Sequence, residues 1–205
     1  MLAPLQLAPP RLALSRTPRA GRYPPPLIEQ WSLEDGRSVT IRPVLPQDDS
    51  LAQAFVRAMS AQSRYNRFLV ALEELPPTLL ARFTNVDQQQ HLALLAATVV
   101  YGKELQIGEA RYVIEADGSS AEFAIAVADD WQTAGIGSRL LRALEGAASA
   151  AGLGRLTGDV LADNRKALDF MRQRGFVVHP NREEARLLRV EKALSGLPLA
   201  GSVSV

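Results

Sequence analysis

The chain has 205 residues, 47% apolar and 22% charged, with a formal net charge of +1, which is apolar material enough for one domain-sized core. That charge balance gives no global electrostatic case for nucleic acid or an anionic membrane, and no apolar run approaches the ~20 residues of a spanning helix. The absence of cysteine excludes disulfides, thiolate metal sites and acyl relay through a thiol.

Pro4, Pro9, Pro10, Pro18, Pro24, Pro25 and Pro26 crowd the start, and Arg11, Arg16, Arg19 and Arg22 all precede the first acidic residue, Glu29. Such a segment cannot bury enough surface to offset its ordering entropy, so residues 1–26 are read as a flexible tail. The prolines also oppose the amphipathic helix of a targeting signal, and a reducing cytoplasm, which suits a chain without cysteine, is the expected location. The domain is expected over residues 27–195, with a second tail at residues 196–205.

In chain order, LIEQWSLEDGRSVTIRPV predicts a hairpin turning at Asp35-Gly36. PQDDSLAQAFVRAM predicts a helix with Asp48, Asp49 or Ser50 as its cap, and LPPTLLARFTNV a second one entered through proline. HLALLAATVV, QIGEARYVI and AEFAIAV read as three antiparallel strands, the first two joined at Gly102. Leu140, Leu141, Leu144, Ala147, Ala148 and Ala151 share one face of a helix predicted over residues 138–151. RLTGDVL is a strand, ADNRKALDFMRQR a helix stopped by Gly175, and FVVHP with ARLLRVEKAL a final strand pair.

QTAGIGSRL therefore joins the end of a strand to the start of a helix. The first turn of a helix leaves backbone N–H groups without partners, and the helix dipole adds positive potential there. Gly135 and Gly137 let backbone approach an anion, while Thr133 and Ser138 add hydroxyl donors, so the implied ligand is a pyrophosphate. A tight turn without ligand is the competing reading. A Walker loop needs a lysine after its glycine, and here Ser138 follows Gly137; a dinucleotide loop needs a third glycine where Leu140 stands.

Residues 132–137 resemble the Gln/Arg-x-x-Gly-x-Gly/Ala signature of the GCN5-related N-acetyltransferase (GNAT) superfamily. Asn164, Ala167, Leu168, Gly175 and Phe176 resemble its next segment, and VTIRPVLPQDD, SRYNRF, LARFTNVD and GDVLADNRKAL are similar to the acetyltransferase domain of bacterial protein-lysine acetyltransferases. The resemblance covers residues 38–193. It implies an α/β fold of the α+β type, with a mixed, mostly antiparallel, splayed sheet flanked by helices. It also implies acetyl-CoA as cosubstrate, held by Gln132, Thr133, Ala134, Gly135, Ile136, Gly137 and Ser138 at the pyrophosphate and by the backbone of Ile125, Ala126 and Val127 along the pantetheine. Asn164 is open to two roles, coenzyme contact and helix cap.

An amine acceptor is mostly protonated at neutral pH and needs a base. Strand alternation puts Glu122, Ala124 and Ala126 on one face and Phe123, Ile125 and Val127 on the other. The resemblance implies Glu122 as general base, against the plainer reading of a solvated charge, with Glu109 and Glu115 as substitutes, and the Val127 N–H as oxyanion donor. Met171 stands where many GNAT enzymes carry a tyrosine acid. Tyr65 is expected to pack rather than to reach the site from the acceptor side, Trp131 to anchor the loop, and Arg139 and Arg142 to offer solvated charges, Arg139 with a phosphate within reach. His91 and His179 show no ligand spacing, and no metal is expected.

The expected activity is direct acetyl transfer to a primary amine, with a protein lysine favoured and small amines as the alternative. A non-catalytic acetyl-CoA sensor is the second class of reading, and nucleic-acid binding through the tail a third. No nucleic-acid or membrane partner is expected, and the state is a monomer or homodimer.

Overall fold

In a computed structural model of the protein, which describes residues 27–194, Asp35-Gly36 closes the expected hairpin between β1 (Glu29–Ser32) and β2 (Ser38–Pro43). Both expected tails lie outside the described residues. A 3-10 turn over Pro46–Asp48 leads into α1 (Asp49–Ala58). Asp48 occupies the cap position of α1 but does not cap it. The preceding turn draws its carboxylate back to the Leu45 N–H (2.7 Å) and to both terminal nitrogens of Arg42 (2.7 and 2.8 Å).

Next come α2 (Ala61–Phe68), capped by Ser60, whose Oγ accepts from the Ser63 N–H at 3.1 Å, and α3 (Pro77–Thr84). Strands β3 (His91–Val100), β4 (Lys103–Ile114) and β5 (Ser120–Val127) form the antiparallel run read from the sequence. Helix α4 (Ile136–Ala150) begins two positions earlier than the periodicity indicated, because Gly135 caps it in a left-handed conformation and Ile136, fully buried, already belongs to its apolar face. β6 (Arg155–Leu161), α5 (Arg165–Gln173), β7 (Val177–Pro180) and β8 (Leu187–Ala193) complete the chain.

The strands form one eight-stranded sheet in the order β1-β2-β3-β4-β5-β6-β8-β7, antiparallel except where β5 meets β6. One face packs on α4 and α5: Phe123 of β5 meets Ile136, Leu140, Leu141, Leu144, Leu168 and Met171 in the main core. The other face carries α1 and α3, where Phe55, Val56, Met59 and Phe83 gather over Ala126. This is the mixed, mostly antiparallel α/β architecture expected from the sequence. Among the described residues no helix is long and apolar enough to cross a membrane.

The parallel seam is short. β5 pairs with β6 only at Ser120, Ala121 and Glu122, opposite Arg155, Leu156 and Thr157; from there β5 follows β4 while β6 follows β8 to Leu161. At the parting point a Cβ on Gly158 would stand 3.0 Å from the Phe123 ring and 3.1 Å from the Phe123 carbonyl oxygen, so glycine is what lets the strands approach before they diverge.

Candidate active site

Between the diverging strands lies a cleft of about 720 Å³. Residues 123–127 of β5 and 158–160 of β6 form its sides; α2 contributes Ser63, Asn66 and Arg67, and α5 contributes Lys166, Ala167, Phe170 and Met171. The Ala128 N–H donates to Ile107 O and the Glu115 N–H to Ser120 O, both at 2.9 Å. Between these two pairs the antiparallel alternation makes Glu122, Ala124 and Ala126 the residues whose main chains bond to β4. The N–H and C=O groups of Ile125 and Val127 therefore point the other way, into the gap left by β6. Ala126 departs from expectation: its main chain is turned towards Glu109 of β4, and what it offers the cleft is a methyl group.

At the end of β5 a 3-10 turn over Asp129–Trp131 leads into the glycine loop. Trp131 is buried and stacked under the Arg37 guanidinium at 4.1 Å, and so anchors the loop as expected. Gly135 takes φ +76°, a conformation that costs other residues about 1–2 kcal/mol. The N–H groups of residues 135–138 are the four that a helix start leaves without intrahelical partners, and Gly135 has no side chain to cap them. A Cβ on Gly137 would lie 3.5 Å from Val127 and 3.6 Å from Phe170, ordinary contact distances, so the fold itself does not demand glycine there.

The remaining loop residues divide by role. Thr133, Gly135, Gly137 and Ser138 line the cleft, and the Ser138 hydroxyl accepts a hydrogen bond from Arg174. Gln132 bridges, donating to the Val127 carbonyl at 3.2 Å and accepting from the Lys166 ammonium. Ala134 packs against the core and Ile136 is buried in it, so Ile136 has only its main chain to offer. Asn164 lines the cleft and caps α5, its Oδ1 accepting from the Ala167 N–H at 3.2 Å. Arg139 turns away from the loop to pair with Glu29 and stack over Trp31 at 4.5 Å, which removes it as a phosphate ligand.

Three carboxylates were open to the base role. Glu115 is engaged by the Ser120 and Thr157 hydroxyls at 2.8 and 3.0 Å. Glu109 is buried; burial alone would raise its pKa, but the charges of Arg111 and Arg67 overcome this and hold it well below the usual carboxylate range, which makes it a poor base. Glu122 is exposed on the same face of β5 as Ala124 and Ala126, beyond the residues that line the cleft, and its carboxylate has no hydrogen-bond partner among the described residues. The protein mass around it, and then Asp159, push its pKa up. Asp159 is held by Arg189 at 2.8 and 3.0 Å. Tyr65 accepts a hydrogen bond from Arg186 at 2.8 Å and lies outside the cleft, while Met171 is buried against it.

Residues 56–176 match the acetyltransferase (GNAT) family. Acetyltransferase PA5475 of Pseudomonas aeruginosa is 33% identical over 151 residues, covering 73% of this chain and 81% of that protein. The chain belongs to the GNAT family. Acetyltransferase Pat of Mycolicibacterium smegmatis is 34% identical over 133 residues, which is 63% of this chain and 39% of Pat. The GNAT domain of S. lividans PAT superposes with a TM-score of 0.74 at 28% identity, covering 84% of this chain and 100% of that domain.

As a GNAT protein the chain is an acetyl-CoA-dependent N-acetyltransferase, close to the bacterial protein acetyltransferases. The site fits that cosubstrate. Uncapped N–H groups at the start of α4 match a pyrophosphate, and the main-chain groups of Ile125 with the N–H of Val127, which no strand pairs, match the amides of pantetheine. Sequence reasoning missed Arg67, Asp159, Lys166 and Arg174, all of which line the cleft. Lys166 and Arg174 sit eight positions apart on and beside α5, a spacing that would have placed both on its cleft-facing side.

Proposed function

We propose that this GNAT enzyme transfers acetyl directly to the side-chain amine of a protein lysine within a ternary complex. The observation that carries the reading is the edge of β5 at Ile125 and Val127, which no strand pairs, aimed into a cleft that ends at the uncapped turn of α4. Acetyl-CoA lies along that edge, with its pyrophosphate at residues 135–138 and with Lys166 and Arg174 as the nearby cations. The amine nitrogen attacks the thioester carbon, and the Val127 N–H donates to the developing oxyanion. The carbon–sulfur bond then breaks. Glu122 takes the amine proton through a bridging water, its raised pKa bringing it nearer to the working pH of a base. The buried Met171 offers no proton to sulfur, so CoA leaves as thiolate, which a thiol of pKa about 8.5 permits. Similarity to the protein acetyltransferases supports lysine as acceptor.

The test is release of CoA thiol from acetyl-CoA with lysine-bearing proteins and peptides and with small amines. Glu122→Gln is expected to lower kcat by about 10²–10⁴, with partial recovery at alkaline pH where free amine no longer needs a base. Turnover with small amines alone would move the acceptor away from protein. Tight acetyl-CoA binding without turnover, unchanged in Glu122→Gln, would replace the enzyme reading with a sensor.

A further inference from the structure

On the face of the sheet opposite α4, the buried Glu109 carboxylate is shared between two guanidinium groups. One oxygen accepts from Arg67 Nε at 2.9 Å and the other from Arg111 Nη2 at 2.7 Å. His91, beside Arg111, is kept neutral by burial and by the Arg111 charge, which bring its pKa down to about 4. Two cations and one anion leave the cluster one positive charge in excess.

That excess is presented by Arg67. Its Nε is committed to Glu109, but neither terminal nitrogen has a hydrogen-bond partner among the described residues, and the residue lines the cleft. The Arg67 guanidinium also lies near two aromatic rings, 5.0 Å from the Phe68 ring centre and 5.4 Å from that of Phe83. Fixing Nε leaves the Nη1–Nη2 edge as two parallel donors, the geometry that a carboxylate accepts in bidentate fashion. Glu109 is the cross-strand partner of Ala126, so this edge sits beside the part of β5 where transfer occurs.

The protein does not satisfy that edge itself. Asp159 is taken by Arg189 and Asn181, and Asp129 by Ser60 and Ser63. Glu122 feels the Arg67 charge without bonding to it. When substrates displace water from the cleft, an unpaired guanidinium edge loses its hydration, and a carboxylate arriving with the substrate replaces it.

We propose that Arg67 is a carboxylate receptor at the reacting end of the cleft, selecting a substrate that carries a carboxylate close to the reacting centre, on the amine acceptor or on the acyl chain. The inference rests on the amine-transfer reading above and adds the substrate's charge to it.

Two matched pairs test it in the full chain. Nα-acetyl-lysine is compared with its methylamide using acetyl-CoA, and succinyl-CoA with acetyl-CoA using the methylamide, with kcat/KM measured for wild type, Arg67→Gln and Arg67→Lys. The expected result is a wild-type preference of about tenfold or more for the carboxylate-bearing member of one pair, abolished in Arg67→Gln. Arg67→Lys keeps a cation against Glu109 for folding but loses the fork, and is expected to keep only part of the preference. A preference in the first pair assigns the carboxylate to the acceptor, and in the second to the acyl chain. No preference in wild type, or an equal fall for both members in the variants, overturns the proposal. If no amine turns over, the transfer reading fails. Equilibrium binding then decides this one: Nα-acetyl-lysine against its methylamide on CoA-saturated protein, and succinyl-CoA against acetyl-CoA. A carboxylate preference lost in Arg67→Gln supports the receptor, and equal affinities overturn it.

Discussion

Arg111 lies between two ionisable neighbours, with Nη2 on Glu109 at 2.7 Å and Nη1 3.4 Å from His91 Nε2. Burial and the Arg111 charge lower the His91 pKa from 6.5 to about 4. Between those values the unfolded chain binds a proton that the folded chain refuses, so stability is full above pH 6.5 and falls as pH drops towards 4. The thermal midpoint is expected to decline over that window, and to decline less steeply in His91→Gln; parallel slopes would place the dependence on other groups. Nothing in the sequence pointed to this cluster, because residues 67, 91, 109 and 111 come together only through sheet register and the packing of α2. Glu122 was legible, since alternation along a single strand sets its face. Its position beyond the lining of the cleft was not, because that depends on where β6 turns away.

Helix α4 shows what one element contributes by how it starts. Gly137 is tolerant within the protein, with ordinary contacts awaiting a methyl group, and alanine in a helix is favoured over glycine by about 0.5–1 kcal/mol. Gly137→Ala is therefore expected to leave the unfolding temperature unchanged or raise it, while raising KM for acetyl-CoA by obstructing the phosphate. An unchanged KM would remove the pyrophosphate from this turn. Elements with an apolar period were readable: RLTGDVL coincides with β6, and Asn164 starts α5. Helix α2 was not, because none of its residues is fully buried and its apolar stripe is thin, Ala61, Tyr65 and Phe68 alone in an otherwise polar AQSRYNRF. Its other sequence signal was the Ser60 cap. Ser63, Asn66 and Arg67 of that helix line the cleft, so the glycine-loop side of the cleft could be anticipated from the sequence and the α2 side could not.

At the scale of the molecule, two groups of strands meet through the three residue pairs of the β5–β6 seam. The amides of Ile125 and Val127 lack a strand partner, whereas those of Ala124 and Ala126 are bonded to β4. Hydrogen exchange is expected to be fast at the first two in the free protein and slowed by acetyl-CoA, and slow at the other two in both states. Protection of Ile125 and Val127 without ligand would mean that the gap is filled by protein. The order of elements and the glycine loop announced this architecture, but the parting of β5 and β6 is decided by contacts between residues far apart in the chain. Gly158 and Phe123 illustrate it, with 3.0 Å between the ring and the place where a Cβ would stand. The two positions hold one fixed volume between them. A side chain at 158 would press on the Phe123 ring and on the Phe123 carbonyl oxygen together, so a smaller residue at 123 relieves only the first, and the close approach that precedes the cleft is tied to a glycine at 158.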